Sequence, residues 1–194
     1  VFSANGLREG WYMGLLAPAV AAEDPLLAAA EDYAARFSRD RALPAALFGW
    51  TAPLFAGETG PYARLRRAAC WMSDIGVRDH PEYRAEQAFL RIVRQTGIGL
   101  DHHARVFLGV ALAVRYEAEP DAGFMRPARD LLTAADRRQA EILGHALRLA
   151  YTLCAGTAAL LSSTALDVGR TLTPRLTEGG GVFEGEGVSR RLQR

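Results

Sequence analysis

The feature that most restricts this chain is a helical period that holds from Arg8 to Leu161. Apolar residues recur three and four positions apart through REGWYMGLLA, DPLLAAAEDYAARFS, ALPAALFGWTAPLF, PYARLRRAACWM, EYRAEQAFLRIVRQ, HHARVFLGVALAVRYE and AEILGHALRLAYTLCAGTAALL. Such a stripe occupies one face of a helix and must be buried against another element, so a succession of them requires a helical array. The breaks carry stop signals: Gly57 and Gly60-Pro61, Gly76, Gly97 and Gly99, and Glu119-Pro120-Asp121. Asp24-Pro25 reads as an N-cap with proline in the first turn, and Thr133 with Asp136 as an aspartate version of the capping box. With 194 residues and 49% hydrophobic content, the chain can bury roughly 70% of its unfolded surface, enough for one core without staples. Cys70 and Cys154 lie in apolar helical stretches and read as buried thiols of a cytoplasmic, reducing setting.

After Leu161 the period changes. TALDVG and TLTPRLT alternate around Gly169-Arg170 as a hairpin, with Pro174 confining the second strand to an edge. The glycines of TEGGG and EGEG lack a following Lys-Ser/Thr and read as a connection, not a nucleotide loop. At the other end, VFSANGLREG reads as a strand leaving a sheet through a tight turn. The expectation is a fragment of a longer chain in three parts. Residues 1–10 supply the last strand and turn of an upstream domain, 11–161 a helical domain, and 162–194 the hairpin and the start of a terminal helix. The fold class expected is mainly α with a small C-terminal β-hairpin.

Every one of the 23 basic residues is Arg, and the net charge is +1. The global field therefore attracts no polyanion, nucleic acid included, and any anion site must come from local arrangement. No stretch of about 18 residues is apolar enough to span a membrane; the best candidate is interrupted by His145 and Arg148. Projection of EYRAEQAFLRIVRQ at about 100° per residue places Arg84, Gln87, Arg91, Arg94 and Gln95 on a polar arc. Arg84, Arg91 and Arg94 align there as a basic stripe, which is either a solvated face or a track for a polyanion. Glu86 falls inside the apolar arc of Ala85, Ala88, Phe89, Leu90, Ile92 and Val93. A carboxylate on a buried face must be paired, hydrogen-bonded or protonated. A polar network is expected in which Asp74 and Glu86 face an arginine such as Arg115 or Arg78.

The most specific motif lies in residues 70–80, CWMSDIGVRDH. A helix ending in His-Asp-Ile-Gly opens the metal site of the His-Asp phosphohydrolases, where neighbouring nitrogen and oxygen donors hold a divalent ion at about 2.0–2.2 Å. Here Ser73 stands in place of the His, and no His precedes His80. Asp74, His80, His102 and His103 remain. No metal is expected in this chain, and a metal-dependent phosphohydrolase built on these regrouped donors is the least favoured reading.

Taken in order, VFSANGLREG, WMSDIG, DHPEYRAEQ, GLDHHARVFLGVALAVRYE and the hairpin before EGVSRRL resemble the C-terminal half of exopolyphosphatase and guanosine pentaphosphate phosphatase proteins. The resemblance covers nearly the whole chain and implies a His-Asp-phosphohydrolase-like helical domain. In that family the active site, its catalytic carboxylate and its magnesium ion lie in upstream actin-like domains. The implied expectation is no catalytic residue and no cofactor within this chain, with inorganic polyphosphate and a second copy of the chain as partners. Arg8, in GLREG, is carried over as a substrate contact near the cleft between domains. Where some relatives keep His-Asp this sequence has Ser73-Asp74, and Glu86 and Glu117 stand where those relatives carry a His in later helices. Nothing in the residues identifies a guanine reader, so polyphosphate and guanosine pentaphosphate both remain as substrates. A different class of function also remains: an interaction module whose apolar faces, including Trp50, Phe55 and Trp71, pack against another subunit.

Overall fold

Residues 6–95 and 99–177 are described by the computed structural model, the side chains of Arg8 and Glu9 excepted. Ten α-helices and one two-stranded sheet are found among the described residues. The order is α1 (Leu7–Gly14), α2 (Pro18–Ala21), α3 (Pro25–Phe37), α4 (Leu43–Thr51), a 3-10 turn (Ala52–Phe55), α5 (Gly60–Trp71) and α6 (Arg84–Arg94). It continues with α7 (His102–Arg115), α8 (Arg126–Arg129), α9 (Ala134–Cys154), α10 (Ala158–Ser162), β1 (Thr164–Val168) and β2 (Leu172–Leu176). The mainly α fold with a C-terminal hairpin is thus the one expected. Two of the expected parts reach outside the described residues, 1–5 at the start and 178–194 at the end. Leu7 to Gly10 lie within α1.

At the centre is α7, buried without interruption from Val106 to Arg115. A helix enclosed on all sides must be apolar all round, and VFLGVALAV supplies that. Helices α6 and α9 flank it and α5 touches it. The seam with α9 is unusually close at Gly144, where a Cβ would meet the Ala111 carbonyl oxygen and the Val114 Cβ at 2.6 Å. No larger residue fits there without moving backbone.

Both expected caps form. Asp24 accepts from the Leu26 and Leu27 amides at 2.9 and 3.3 Å, and Thr133 and Asp136 make the reciprocal capping box at the start of α9. Asp136 does more than cap. The Tyr62 hydroxyl from α5 donates to it, and His103 Nε2 from α7 lies 3.1 Å from its second oxygen. The starts of three helices therefore meet at one carboxylate, an arrangement that the positive ends of their dipoles favour.

Two buried polar contacts tie the edges to the core. The Trp50 indole N–H donates to Thr164 Oγ1 at 2.9 Å, pinning β1 to α4. Arg66, 5% exposed, finds an acceptor for each of its three guanidinium nitrogens. It donates to Glu58 at 2.6–3.0 Å, to the Phe48 carbonyl at 2.7 Å and to Thr51 Oγ1 at 3.0 Å.

Trp50 and Phe55, expected on an outward apolar face, are core residues, and Trp71 is partly buried against them. The indole N–H partner in β1 and the Arg66 guanidinium over the Phe48 and Phe55 rings account for their inward placement. Exposed apolar side chains cluster instead in and after α1, at Leu7, Trp11, Tyr12, Met13 and Leu15, with others scattered at positions such as Tyr83, Leu131 and Val168.

The hairpin pairs Thr164 with Leu176 through Val168 with Leu172, and Pro174 faces Leu166. Cys70 and Cys154 are free and buried, and burial pushes the Cys70 thiol up to about 12. No helix among the described residues is long and apolar enough to cross a membrane.

The Thr133 hydroxyl, then that of Tyr62, holds the Asp136 carboxyl well below the ordinary carboxylate range. A carboxylate so depressed contributes stability that is complete above its unfolded pKa, about 4, and is lost as pH falls toward the folded value. Chemical denaturation of the wild type should therefore show stability dropping below about pH 4, with a shallower drop in Asp136→Asn.

Candidate anion-binding site

The SDIG stretch lies in a run of turns that follows α5, where Ile75, Val77 and Asp79 amides bond to Met72, Asp74 and Gly76 carbonyls. Ser73 is 1% exposed, and its hydroxyl donates back to the Ala69 carbonyl at 2.8 Å. Asp74 is likewise buried. One of its oxygens accepts from the Tyr151 hydroxyl at 3.0 Å and the other from the Arg39 amide at 3.1 Å. The Arg39 guanidinium lies 3.6 Å away. Burial, followed by the charge of Asp74, pushes the Tyr151 phenol up, so it remains a donor to that carboxylate.

Tyr116, at the end of α7, locks the same turns from the other side. Its hydroxyl donates to the Ser73 carbonyl at 2.8 Å and accepts from the Gly76 amide at 2.9 Å. A Cβ at Gly76 would fall 2.7 Å from Arg84 Cγ and 3.0 Å from the Tyr116 ring, so the Gly of the motif is required by close approach.

Between the two tyrosines lies Arg115. Its Cζ is 4.1 Å from the Tyr116 ring centroid and 3.7 Å from that of Tyr151. The residue is 9% exposed, and among the described residues no oxygen accepts from its guanidinium; the buried Nε has no partner. These groups border an open pocket of about 480 Å³ lined by Arg39, Arg84, Arg115 and Arg148 and, as its one carboxylate, Glu117. Glu117 stands in the left-handed region at φ 73° and is 3.6 Å from Arg148. Arg84 donates to the neutral Asp79 carbonyl and has no carboxylate partner among the described residues. Four cations therefore border the pocket, with Glu117 at the rim beside Arg148 and the buried Asp74 behind Arg39, so the local charge is positive in a chain whose net charge is only +1.

The expected residues divide sharply. Asp74 and Arg115 make no direct contact: Tyr151 stands between them, its hydroxyl on Asp74 and its ring on Arg115, and the guanidinium near Asp74 is that of Arg39. Glu86 does not join them, because it is exposed on α6. The apolar arc drawn from the sequence was widened by Leu90, which is only half-buried, whereas the face that packs is Ala88, Phe89 and Ile92. Of the basic stripe, Arg84 borders the pocket, but Arg91 is drawn away into a bidentate pair with Asp79 at 2.6 Å. That pair raises its already high pKa. Arg94 is exposed with no partner among the described residues, and the Arg8 side chain lies outside the described set. Arg39, Arg148, Tyr116 and Tyr151 were missed. Tyr116 and Arg115 sit together in RYE at the end of α7, and Arg148 and Tyr151 are one turn apart in LRLAY on α9. Two Arg–Tyr pairs at the ends of apolar helices were the available signal.

The donors do not suit a divalent metal. Asp74 already accepts from N–H and O–H groups beside a guanidinium, His80 accepts from the Glu82 amide, and His103 pairs with Asp136. Among the described residues no three His, Cys, Asp or Glu gather as a metal ion requires.

A family model described as exopolyphosphatase, C-terminal, matches residues 26–194. The chain belongs to that family. A comparison with curated proteins finds no match.

Two substitutions separate the placements of the carboxylates. Glu86→Gln should change stability by no more than ~0.5 kcal/mol, as an exposed site implies. Asp74→Ala should cost ~1–3 kcal/mol for each buried donor left unmade. Urea unfolding of both variants checks this, and equal costs would contradict the geometry.

Proposed function

We propose that this chain is the C-terminal domain of an exopolyphosphatase-type hydrolase and that its part is to hold inorganic polyphosphate while chemistry proceeds elsewhere in the full-length protein. The observation that carries the reading is the convergence of Arg39, Arg84, Arg115 and Arg148 on one pocket. Guanidinium groups bind phosphate oxygens in pairs and retain their charge at every physiological pH. In the full-length protein, the terminal phosphate is released by attack of water, with magnesium and a catalytic carboxylate supplied upstream.

Polyphosphate is favoured over guanosine pentaphosphate by the rings. Tyr116 and Tyr151 each turn a face to Arg115, and Arg84 and Gly76 crowd Tyr116 further. These contacts occupy the ring positions at which a base would stack against Arg115. A structural role accompanies the binding role. The exposed apolar side chains of Leu7, Trp11, Tyr12, Met13 and Leu15 support contact with another polypeptide, and a dimer of the chain is the arrangement we propose.

Retention of long polyphosphate by the purified chain should fall steeply with salt, as for any polyanion bound with counterion release. Substituting Arg84→Ala with Arg148→Ala should weaken it by roughly tenfold for each charge removed. Arg94→Ala should change it little. In the full-length protein the double substitution should raise KM for long chains and leave kcat nearly unaltered, the signature of lost uniform binding. Unchanged retention in the double variant would exclude the pocket as the binding site.

A further inference from the structure

The two arginines that are buried among the described residues are treated in opposite ways. Arg66 is 5% exposed and meets a buried carboxylate, a carbonyl and a hydroxyl. Arg115 is 9% exposed and meets only ring faces, at 3.7 and 4.1 Å. Cation–π contact offsets part of the cost of taking a guanidinium out of water, but it satisfies none of the N–H donors, which lie in the plane of the group. With two rings against the cation, the in-plane edge remains as the direction from which an acceptor completes it. That edge is a flat fork of donors suited to two oxygens of one tetrahedral group.

We infer that Arg115 is the floor of a seat for a single phosphoryl group, so that the pocket takes orthophosphate or the end of a phosphate chain. This rests on the reading of the pocket as a phosphate site. A terminal phosphoryl group has three free oxygens and enters from one side, whereas an interior unit has two and needs an exit for chain on each side. The floor is flanked by Tyr116 and Tyr151, and the walls carry Arg39, Arg84 and Arg148. Such walls can reach the remaining oxygen and the next unit of the chain. A volume of about 480 Å³ is that of a small-molecule seat. Glu117, 3.6 Å from Arg148 at the rim, is the anion that an arriving phosphoryl group displaces.

The test titrates the purified chain, by calorimetry and thermal unfolding, with orthophosphate, tripolyphosphate and long-chain polyphosphate, in the wild type, Arg115→Met and Arg148→Ala. Orthophosphate and tripolyphosphate should bind one per chain and raise Tm in a saturable way. Arg115→Met should leave the anion-free Tm unchanged or higher, because a buried uncompensated charge is replaced by an apolar chain. It should weaken both short anions by roughly thirtyfold or more. Arg148→Ala, on the exposed wall, should weaken them by about tenfold and keeps the test decisive should Arg115→Met fail to fold. Long-chain binding without any binding of the short anions would overturn the seat and leave polyphosphate holding intact. Short-anion binding that neither substitution alters would also overturn it. Binding of no phosphate species at all would remove both readings, whereas short anions bound without long chains would support the seat and count against holding.

Discussion

Everything in this structure is arranged around the burial of α7. Because its side chains from Val106 to Arg115 are enclosed, the helix has no solvent face along which to slide or rotate, and its two ends are delivered to fixed points. Its first turn brings His103 to Asp136, where α5 and α9 also begin. Its last turn brings Arg115 and Tyr116 to the SDIG turns. The close seam at Gly144 keeps α9 parallel to this axis at short range, so Arg148 and Tyr151 arrive at the same end. Helix ends of opposite polarity thus carry charges of opposite sign. A carboxylate gathers three N-termini, and Arg115 stands in the last turn of α7, each in the sense that the helix dipoles stabilise.

The buried arginines show how much latitude that core leaves. Arg66 and Glu58 form a closed unit in which each charge is answered inside the fold. Such a pair adds little net stability over apolar packing, yet is costly to break from one side. Arg115 is not closed in this way. Its cation is held in position by two rings, themselves fixed by hydrogen bonds to Ser73, Gly76 and Asp74. Rigidity here comes from neutral partners, which leaves the charge unspent. A binding group held so is pre-ordered, and association then loses little side-chain entropy.

The helical array, the two caps and the hairpin were legible because each rests on local rules: period, capping chemistry and turn residues. That SDIG carries Ser73 where a His-Asp motif has His could be read too, since it is a one-position statement. The pocket was not, for a physical reason. Its four arginines come from the loop after α3, the start of α6, the end of α7 and the middle of α9, and no window of sequence contains more than one. The stripe Arg84, Arg91 and Arg94 was a true surface alignment, but Asp79, from the preceding turns, recruits Arg91, which the helix alone cannot reveal. The placement of Glu86 failed on the width of an arc: a half-buried Leu90 counts as apolar in a projection, though the helix packs through a narrower face.

The change of Ser for His alters the sign of what the SDIG corner can hold. In a His-Asp site the carboxylate and imidazole together stabilise a cation, and that cation both attracts phosphate and lowers the pKa of its bound water. In this chain the Ser73 hydroxyl is turned back onto its own helix, and Asp74 orients Tyr151 and Arg39 instead. The positive charge that would attract phosphate is now carried by guanidinium groups. A guanidinium reproduces the attraction and the bidentate geometry, but it offers no coordination position at which water could be acidified, and it neither takes nor gives a proton near neutral pH. Under the proposed function these two halves of the older chemistry have come apart: recognition of the phosphate stays with the helical domain, and activation of water belongs to the domain that supplies magnesium. Of the four guanidinium groups Arg115 alone is buried, so under this reading it is the one that takes the place of a fixed interior cation, while Arg39, Arg84 and Arg148 act from the solvent side.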